Sequence, residues 1–458
     1  MARRWHPSRS SRRGVFRQPS TRAFRPRRPP VRSKGTGAGT GTIALTFTLA
    51  GAGTPNLAGT GTLAVTLTLA GSGSGFTGIG LPPRRRVRWQ FVVGPAAGGH
   101  ELALTEAHSR RVTFRLTDST EMAFQLDDRH PQAEAIDELA TDLHILWTPR
   151  DGGPTRIMQR GRIGPTTEAG TDRAQTIDVI ALDYRAVLAR RTLYTGDTLT
   201  YAATDQAEIA WGLISSTQAR AGGNLGIAKD WTGTTPTGVN RDRTYEASDA
   251  IGARVQELSE VIDGFDWAIE SDSASELKLR IWYPQRGTDR GVILEAGGLV
   301  SAWKRDVDPS GYANALRYTG SAEAVLTAQE LEAADLAGRA EGRWDAVFGD
   351  DSLLTQSSLN DRATWQLARS QVLQPVYSLT LRQGAWDGPD HIWLGDPVRL
   401  IIRRGARLTD TVLRVYEMAF TLGESGEESL VITVGGPRPN FRKRASLIEQ
   451  RLKALERR

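Results

Sequence analysis

The clearest periodicity in the chain lies near its start. GTGTIALTFTLAGAGT at 39–54 returns as GTGTLAVTLTLAGSGS at 59–74, and apolar residues alternate with Ala and Thr in both: Ile43, Leu45, Phe47 and Leu49, then Leu63, Val65, Leu67 and Leu69. A period of two gives each segment one apolar face, so the pattern predicts short β-strands between Gly turns, in a 20-residue repeat over 35–83. Two strands cannot bury such a face alone; it must pack on another chain, on the body of the protein or in a fibrous stack.

From Arg84 onward the pattern becomes that of a globular α+β protein. Alternating runs predict strands at 87–93, 112–117, 122–126, 143–147, 156–161 and 176–182, with Asp151-Gly152-Gly153-Pro154 as a turn. Helical spacing follows at 205–218, where Ile209 and Leu213 share a face. It recurs after Ser248, a predicted N-cap, where Ile251, Val255, Leu258 and Ile262 fall at i, i+4, i+7 and i+11 before Gly264. Strands at 265–269 and 277–282, helices at 328–340 and 359–373, and strands at 377–382, 397–402, 412–416 and 429–434 complete the body. At the end, Ile448, Leu452 and Leu455 form one apolar stripe on a basic helix that is too short to be stable unless it docks.

Charge changes this picture more than overall composition does. The 458 residues carry a formal net charge of +6, but residues 1–100 hold 16 Lys and Arg and no acid, and 438–458 hold 8 basic and 2 acidic side chains. The 101–437 body therefore has 34 basic against 50 acidic residues, a net of −16 between basic ends. Residues 1–34, with eleven Arg and one Lys among Pro and Ser, read as a disordered arm. Arg3, Arg4, Arg12, Arg13, Arg25, Arg27, Arg28 and Arg32 are its candidate contacts to an anionic partner, whether phosphate, nucleic acid or an acidic protein face. A solvated tail that orders only on assembly fits the same composition. With no Cys there is no disulfide, thiolate metal site or Cys nucleophile. The start lacks the apolar stretch of a signal peptide and no run is long enough to span a membrane, which leads us to expect a protein made in the cytoplasm.

Catalytic chemistry finds little support. None of the six His forms an His-x-x-x-His or His-Glu-x-x-His pair, and His144 inside DLHILW reads as structural. There is no Gly-x-Ser-x-Gly elbow, and no Gly-rich stretch runs into Gly-Lys-Ser/Thr. The acidic pairs Asp127-Asp128, Asp350-Asp351 and Glu427-Glu428 could form a glycosidase pair only at roughly 5–10 Å across a cleft; they sit beside turns, where such pairs are solvated. We assign no catalytic residue, metal ligand or cofactor and expect no enzyme. Of the 12 Trp, Trp147, Trp267, Trp282 and Trp303 lie in or beside apolar strands, whereas Trp231 in KDWTGTTPTG and Trp386 in GAWDGPD are candidate partner contacts, or turn anchors.

The order of these segments resembles the tail hub or baseplate hub family of bacteriophages, the minor tail proteins, related in architecture to the hub of contractile tails and to type VI secretion spikes. RRVTFRLTDSTEMAFQLDD, DLHILWTPRDGGPTRIMQRGRIG and TIDVIALDYRAVLARRTLY are similar to a first hub barrel ending in Asp-Tyr-x-x-x-Leu-x-x-Arg. RTYEASDAIGARVQELSEVIDGFDWAIE resembles the inserted α/β domain, NALRYTG the return to the hub, and LGDPVRLIIRRG, VLRVYEMAF and ESLVITVGG the closing barrel. The resemblance covers about 84–437.

It implies an α+β fold of β-barrel-rich hub domains with an inserted α/β domain: a first β-barrel over 84–195, an α/β domain over 196–320, helices plus a second β domain over 321–437, and the basic helix 438–458. It further implies a homotrimer in the virion tail tip that caps or gates the tube, takes part in host attachment and genome delivery, and touches tail tube, distal tail and tape measure proteins, passing DNA and the host surface. A tail-borne cell-wall or polysaccharide hydrolase and a nucleic-acid-binding protein acting through the arm are the alternatives; only 21 residues follow Pro437, too few for a lysin domain.

Overall fold

The computed structural model describes residues 45–47, 63–65, 88–149, 151–171, 175–194, 196–321, 325–350, 353, 355–423 and 427–436. The arm, with its eight candidate arginines, and the C-terminal stripe of Ile448, Leu452 and Leu455 lie outside the described residues. The chain divides into two compact units, Met1–Pro83 and Arg84–Arg458. In the first, β1 (Leu45–Phe47) pairs antiparallel with β2 (Leu63–Val65), Leu45 opposite Val65, so the two copies of the repeat pair with each other.

The second unit opens with β3 (Arg88–Pro95), β4 (Leu102–Ala103), β5 (His108–Arg115), β6 (Glu121–Asp127), β7 (Thr141–Thr148), β8 (Arg156–Gly170) and β9 (Gln175–Asp183). They pair antiparallel in the order β5-β6-β9-β8-β7-β3-β4. β9 alternates along QTIDVIALD, with Ile177, Val179 and Ala181 buried, as the period of two demands. β7 departs from alternation: every residue from Thr141 to Trp147 is buried, because this strand is covered on both faces.

The chain leaves β9 directly into α1 (Tyr184–Ala189), whose N-cap Asp183 accepts the Arg185 N–H. An α/β region follows: β10 (Leu199–Asp205), α2 (Gln206–Gln218), β11 (Ile227–Lys229), β12 (Asn240–Tyr245), α3 (Ile251–Ser259), β13 (Asp266–Ser271) and β14 (Leu277–Trp282). Its own core gathers Tyr184, Leu188, Leu213, Val255, Trp267 and Leu279. Asp205 caps α2, but Ser248 does not cap α3. Ser248 sits at φ +75° in the preceding turn, and the cap is Ala250, with no side-chain bond. Gly252 lets α3 rest on α1, since a Cβ there would lie 2.7 Å from the Ala189 nitrogen.

β15 (Ile293–Glu295) and β16 (Val300–Asp306) precede a small layer of β17 (Ala315–Thr319), β18 (Gln329–Glu332), β19 (Asp345–Gly349) and α4 (Gln356–Ser370). Here Leu316, Tyr318, Leu353, Leu359 and Ala363 form a third core. The helix predicted over 328–340 is replaced by β18 and a single 3-10 turn at Leu336–Gly338. The residues are helix formers, yet pairing with β17 puts Leu331 against this core, and tertiary contact overrides propensity.

The chain closes with β20 (Val376–Leu381), β21 (Pro397–Arg404), β22 (Arg407–Leu422) and β23 (Glu428–Val434). They join β15 and β16 in the order β16-β20-β23-β22-β21-β15, and an Ala296–Val300 bridge brings the two ends together. β22 is the hinge of the architecture. Its first half pairs with β21, while Glu417–Leu422 lies between β23 and β5, with Phe420 opposite Val112. The two strand groups thereby form one curled 13-stranded sheet around one core. Trp89, Phe114, Trp386 and Phe420 sit at its centre, with Trp386 and Phe420 in edge contact at 4.8 Å.

Candidate assembly site

Three features of this architecture bear on function: two polar latches that fix the α/β region to the sheet, and the sheet's exposed ends. The first latch grows from the Asp183-Tyr184-Arg185 turn, inside the Asp-Tyr-x-x-x-Leu segment. Asp183 accepts the Thr120 N–H at 2.9 Å and the Gln159 amide at 3.2 Å, and burial pushes its carboxyl pKa up against the pull of Arg185. Tyr184 donates to Asp142 at 2.6 Å, and Asp142 also accepts Arg160 Nε at 2.7 Å and Arg162 Nε at 2.6 Å. Burial, with the Asp142 charge beside it, pushes the Tyr184 phenol up to about 12. Arg160 then reaches across domains, donating to the Ala96 carbonyl and to that of Ala274 in the β13–β14 turn. Arg185 does the same in reverse: it donates to Leu116 O at 2.8 Å and stacks 4.5 Å from the Trp267 ring.

His144 lies on the same covered face of β7, fully buried, with the His100 ring edge-on at 4.5 Å. Burial, then the neighbouring His100 and Arg160 charges, depress its pKa to about 3, so it stays neutral. Its structural role agrees with its place in the strand.

A second latch ties β13 to the closing strands. Arg414 donates to Asp266, to Arg286 O at 2.6 Å and to Gly395 O at 3.1 Å. Asp396 accepts the Thr288 N–H at 2.8 Å and Arg290 Nε at 2.9 Å. Gly287, at φ +118°, passes so close that a Cβ would meet Gly395 O at 2.1 Å.

The two ends of the sheet differ from its interior. β16 is held by β20 on one edge, and among the described residues its other edge carries only the bridge at Val300. Ser301 through Arg305 are exposed, including Trp303 at 36%, with the Arg404 guanidinium 5.8 Å from its ring. At the opposite end β4 covers only Val92 and Val93 of β3. Such edges invite pairing with another chain.

The tryptophans singled out in the sequence separate clearly. Trp386 is buried in the core at 2% exposure, its Nε1 bonded to Ile392 O at 3.0 Å, so of the two readings it is the turn anchor, packed inward, and not a surface partner contact. Trp231 is half-buried against the α/β core; its Nε1 donates to Glu208 at 2.7 Å, and Lys229 joins the same carboxylate. It anchors a loop. Trp303, which lies beside an apolar strand, is the exposed one of these. Asp127 and Asp350 serve turns, Asp127 accepting the Arg129 N–H and the Asp350 carbonyl accepting that of Leu353. Among the described residues no group of three or more His, Asp or Glu side chains is placed to hold a metal ion.

Two β groups fused through one strand, with α/β regions latched against them, make up a fold that the chain shares with solved phage tail proteins. The chain is similar to the 43 kDa tail protein of prophage MuSo2 from Shewanella oneidensis: TM-score 0.52, 14% identity, 75% of this chain and 97% of that one. It is similar also to the tail protein from Neisseria meningitidis MC58, with TM-score 0.51 and 13% identity over 76% of this chain and 96% of that one. No family model matches the sequence, and no curated protein matches it. At these identities the likeness is one of fold.

Proposed function

We propose that the chain is a structural subunit of a phage-type tail, built into the virion as the hub at the tail tip, where three copies form a ring that caps or gates the tube. The exposed β16 edge, lying at one end of the sheet with β3 and β4 at the other, carries this reading. Each chain brings two β groups, so three copies present six similar units to a tail tube. Main-chain pairing between the β16 end of one copy and the β3–β4 end of the next is the natural closure. The −16 body suits the wall of a channel through which DNA passes without sticking. The basic arm then docks on DNA or an acidic tail partner, and the Gly/Thr strands augment a neighbouring sheet.

Tail tube, distal tail and tape measure proteins are the expected neighbours, with host-surface contact at the outer end. The work of such a protein is done by surfaces, without catalysis. Native mass spectrometry of the full chain should give three times the 49.9 kDa protomer mass, and the chain should be found in purified particles. A stable monomer at high concentration, or absence from particles, refutes the hub reading. Normal assembly and infectivity after deletion of 1–82 refutes the role given to the arm and repeat.

A further inference from the structure

A cleft of about 530 Å³ opens beside the C-terminal ends of α1 and α2, and Arg190, Arg191, Thr192, Tyr194, Asp197 and Arg220 line it. One of its three guanidinium groups is engaged. Arg220 pairs with Asp197, donates to Thr192 O at 3.1 Å and lies 3.8 Å from the centre of the Tyr194 ring. Asp197 also accepts the Tyr194 N–H at 3.2 Å, and Tyr194 is 64% exposed.

Arg190 and Arg191 are different: among the described residues neither side chain has an ion pair or hydrogen bond. Cations at a helix C-terminus commonly satisfy its last carbonyls. Here the Arg190 and Arg191 backbone N–H groups already bond Val187 O and Leu188 O at 3.1 Å each, so the guanidinium groups are not needed as caps. Arg190 is exposed and Arg191 half-buried, so both guanidinium groups are open to an anion entering the cleft.

We propose that this cleft binds a phosphate-bearing ligand. In this proposal the Arg190 and Arg191 guanidinium groups, which line the cleft together with Thr192 and Tyr194, would clamp a tetrahedral dianion. The Asp197 carboxylate is paired with Arg220, so its charge is compensated where an anion binds Arg190 and Arg191. A volume of this size suits a phosphorylated small molecule or the terminal phosphate of a polymer. The inference stands independently of the tail-hub reading.

Hydrogen exchange of the full-length protein tests it, read locally at residues 190–194 and 220–223 so that binding to the basic arm does not count. Pyrophosphate at low salt should protect these amides, and acetate should not. Arg190→Gln with Arg191→Gln should lower the pyrophosphate affinity about tenfold or more without changing the melting temperature. Asp197→Asn, which frees Arg220, should raise it a few-fold, a gain that a merely structural role would not produce. Displacement of pyrophosphate by a single-stranded oligonucleotide would identify the source as a polymer, and its failure a small molecule. No protection by millimolar pyrophosphate, or equal protection in the double variant, overturns the proposal.

Discussion

Asp142 is the carboxylate on which the first latch converges. It is fully buried and accepts three bonds, from Arg160 at 2.7 Å, Arg162 at 2.6 Å and Tyr184 at 2.6 Å, and Arg160 is itself 2% exposed. Asp142→Ala removes the carboxylate and leaves Arg160 uncompensated between β7 and the β13–β14 turn. Breaking a buried pair in this way costs about 3–5 kcal/mol. Arg162 is less trapped, because it can turn toward solvent, so the penalty falls mainly on Arg160. Replacing both partners, Asp142→Ala with Arg160→Met, removes the stranded charge as well as the pair. The two substitutions should therefore be non-additive by about 1–3 kcal/mol, the double variant costing less than the sum. Hydrogen exchange at β7 and β8 amides, with thermal melting alongside, reads the local opening energy. A single-variant loss under about 1 kcal/mol, or simple additivity, would show that the latch does not hold the α/β region to the sheet.

Other expectations follow from the same geometry. His144 has a folded-state pKa of about 3 against 6.5 for a free His. The folded protein thus binds fewer protons between these values, and stability should rise with pH across that window, being about 2 kcal/mol lower at pH 5 than at pH 7. Denaturation of a His144→Leu variant should show this slope reduced; an unchanged slope rules out His144 as its source. Trp386→Ala should destabilise by about 3–5 kcal/mol through the cavity left among Trp89, Trp147 and Phe420, measured by chemical denaturation. Gly252→Ala should cost about 1–3 kcal/mol by driving α3 off α1, with lowered exchange protection confined to that region. Trp303→Ala should leave the melting of the isolated protomer within about 0.5 kcal/mol but weaken self-association by about 2 kcal/mol or more in sedimentation. A large protomer effect would make Trp303 an ordinary core residue.

Much of the strand content was legible because most strands carry an alternating face: 122–126 and 176–182 fall within β6 and β9, and 397–402 within β21. β10, β12 and β16 were not, because exposed or polar strands such as VSAWKRD carry no buried face to betray them. The α4 start was anticipated to within a few residues, whereas 328–340 was misread as helix because edge pairing is non-local. The latches were half visible. Asp183-Tyr184 stood out as a segment, but Asp142, Arg160 and Arg414 are brought to their partners by pairings that spacing along the chain does not encode. The sequence left Trp386 between partner contact and turn anchor because a Gly-rich turn can wrap inward as readily as outward, and here Gly388 packs on Trp147.

The shared strand β22 also sets an order of events in time. β5 finds its second neighbour only in Glu417–Leu422, 302 residues downstream at the Arg115–Glu417 pair. At about 5–20 residues per second of synthesis, that edge of β5 waits roughly 15–60 s for its partner. During this interval an unpaired strand with buried Val112 and Phe114 is open to pairing with nascent neighbours. Arg110, Arg111 and Arg115 along the same strand give nearby copies a reason to repel until the last segment of the body emerges and closes the seam.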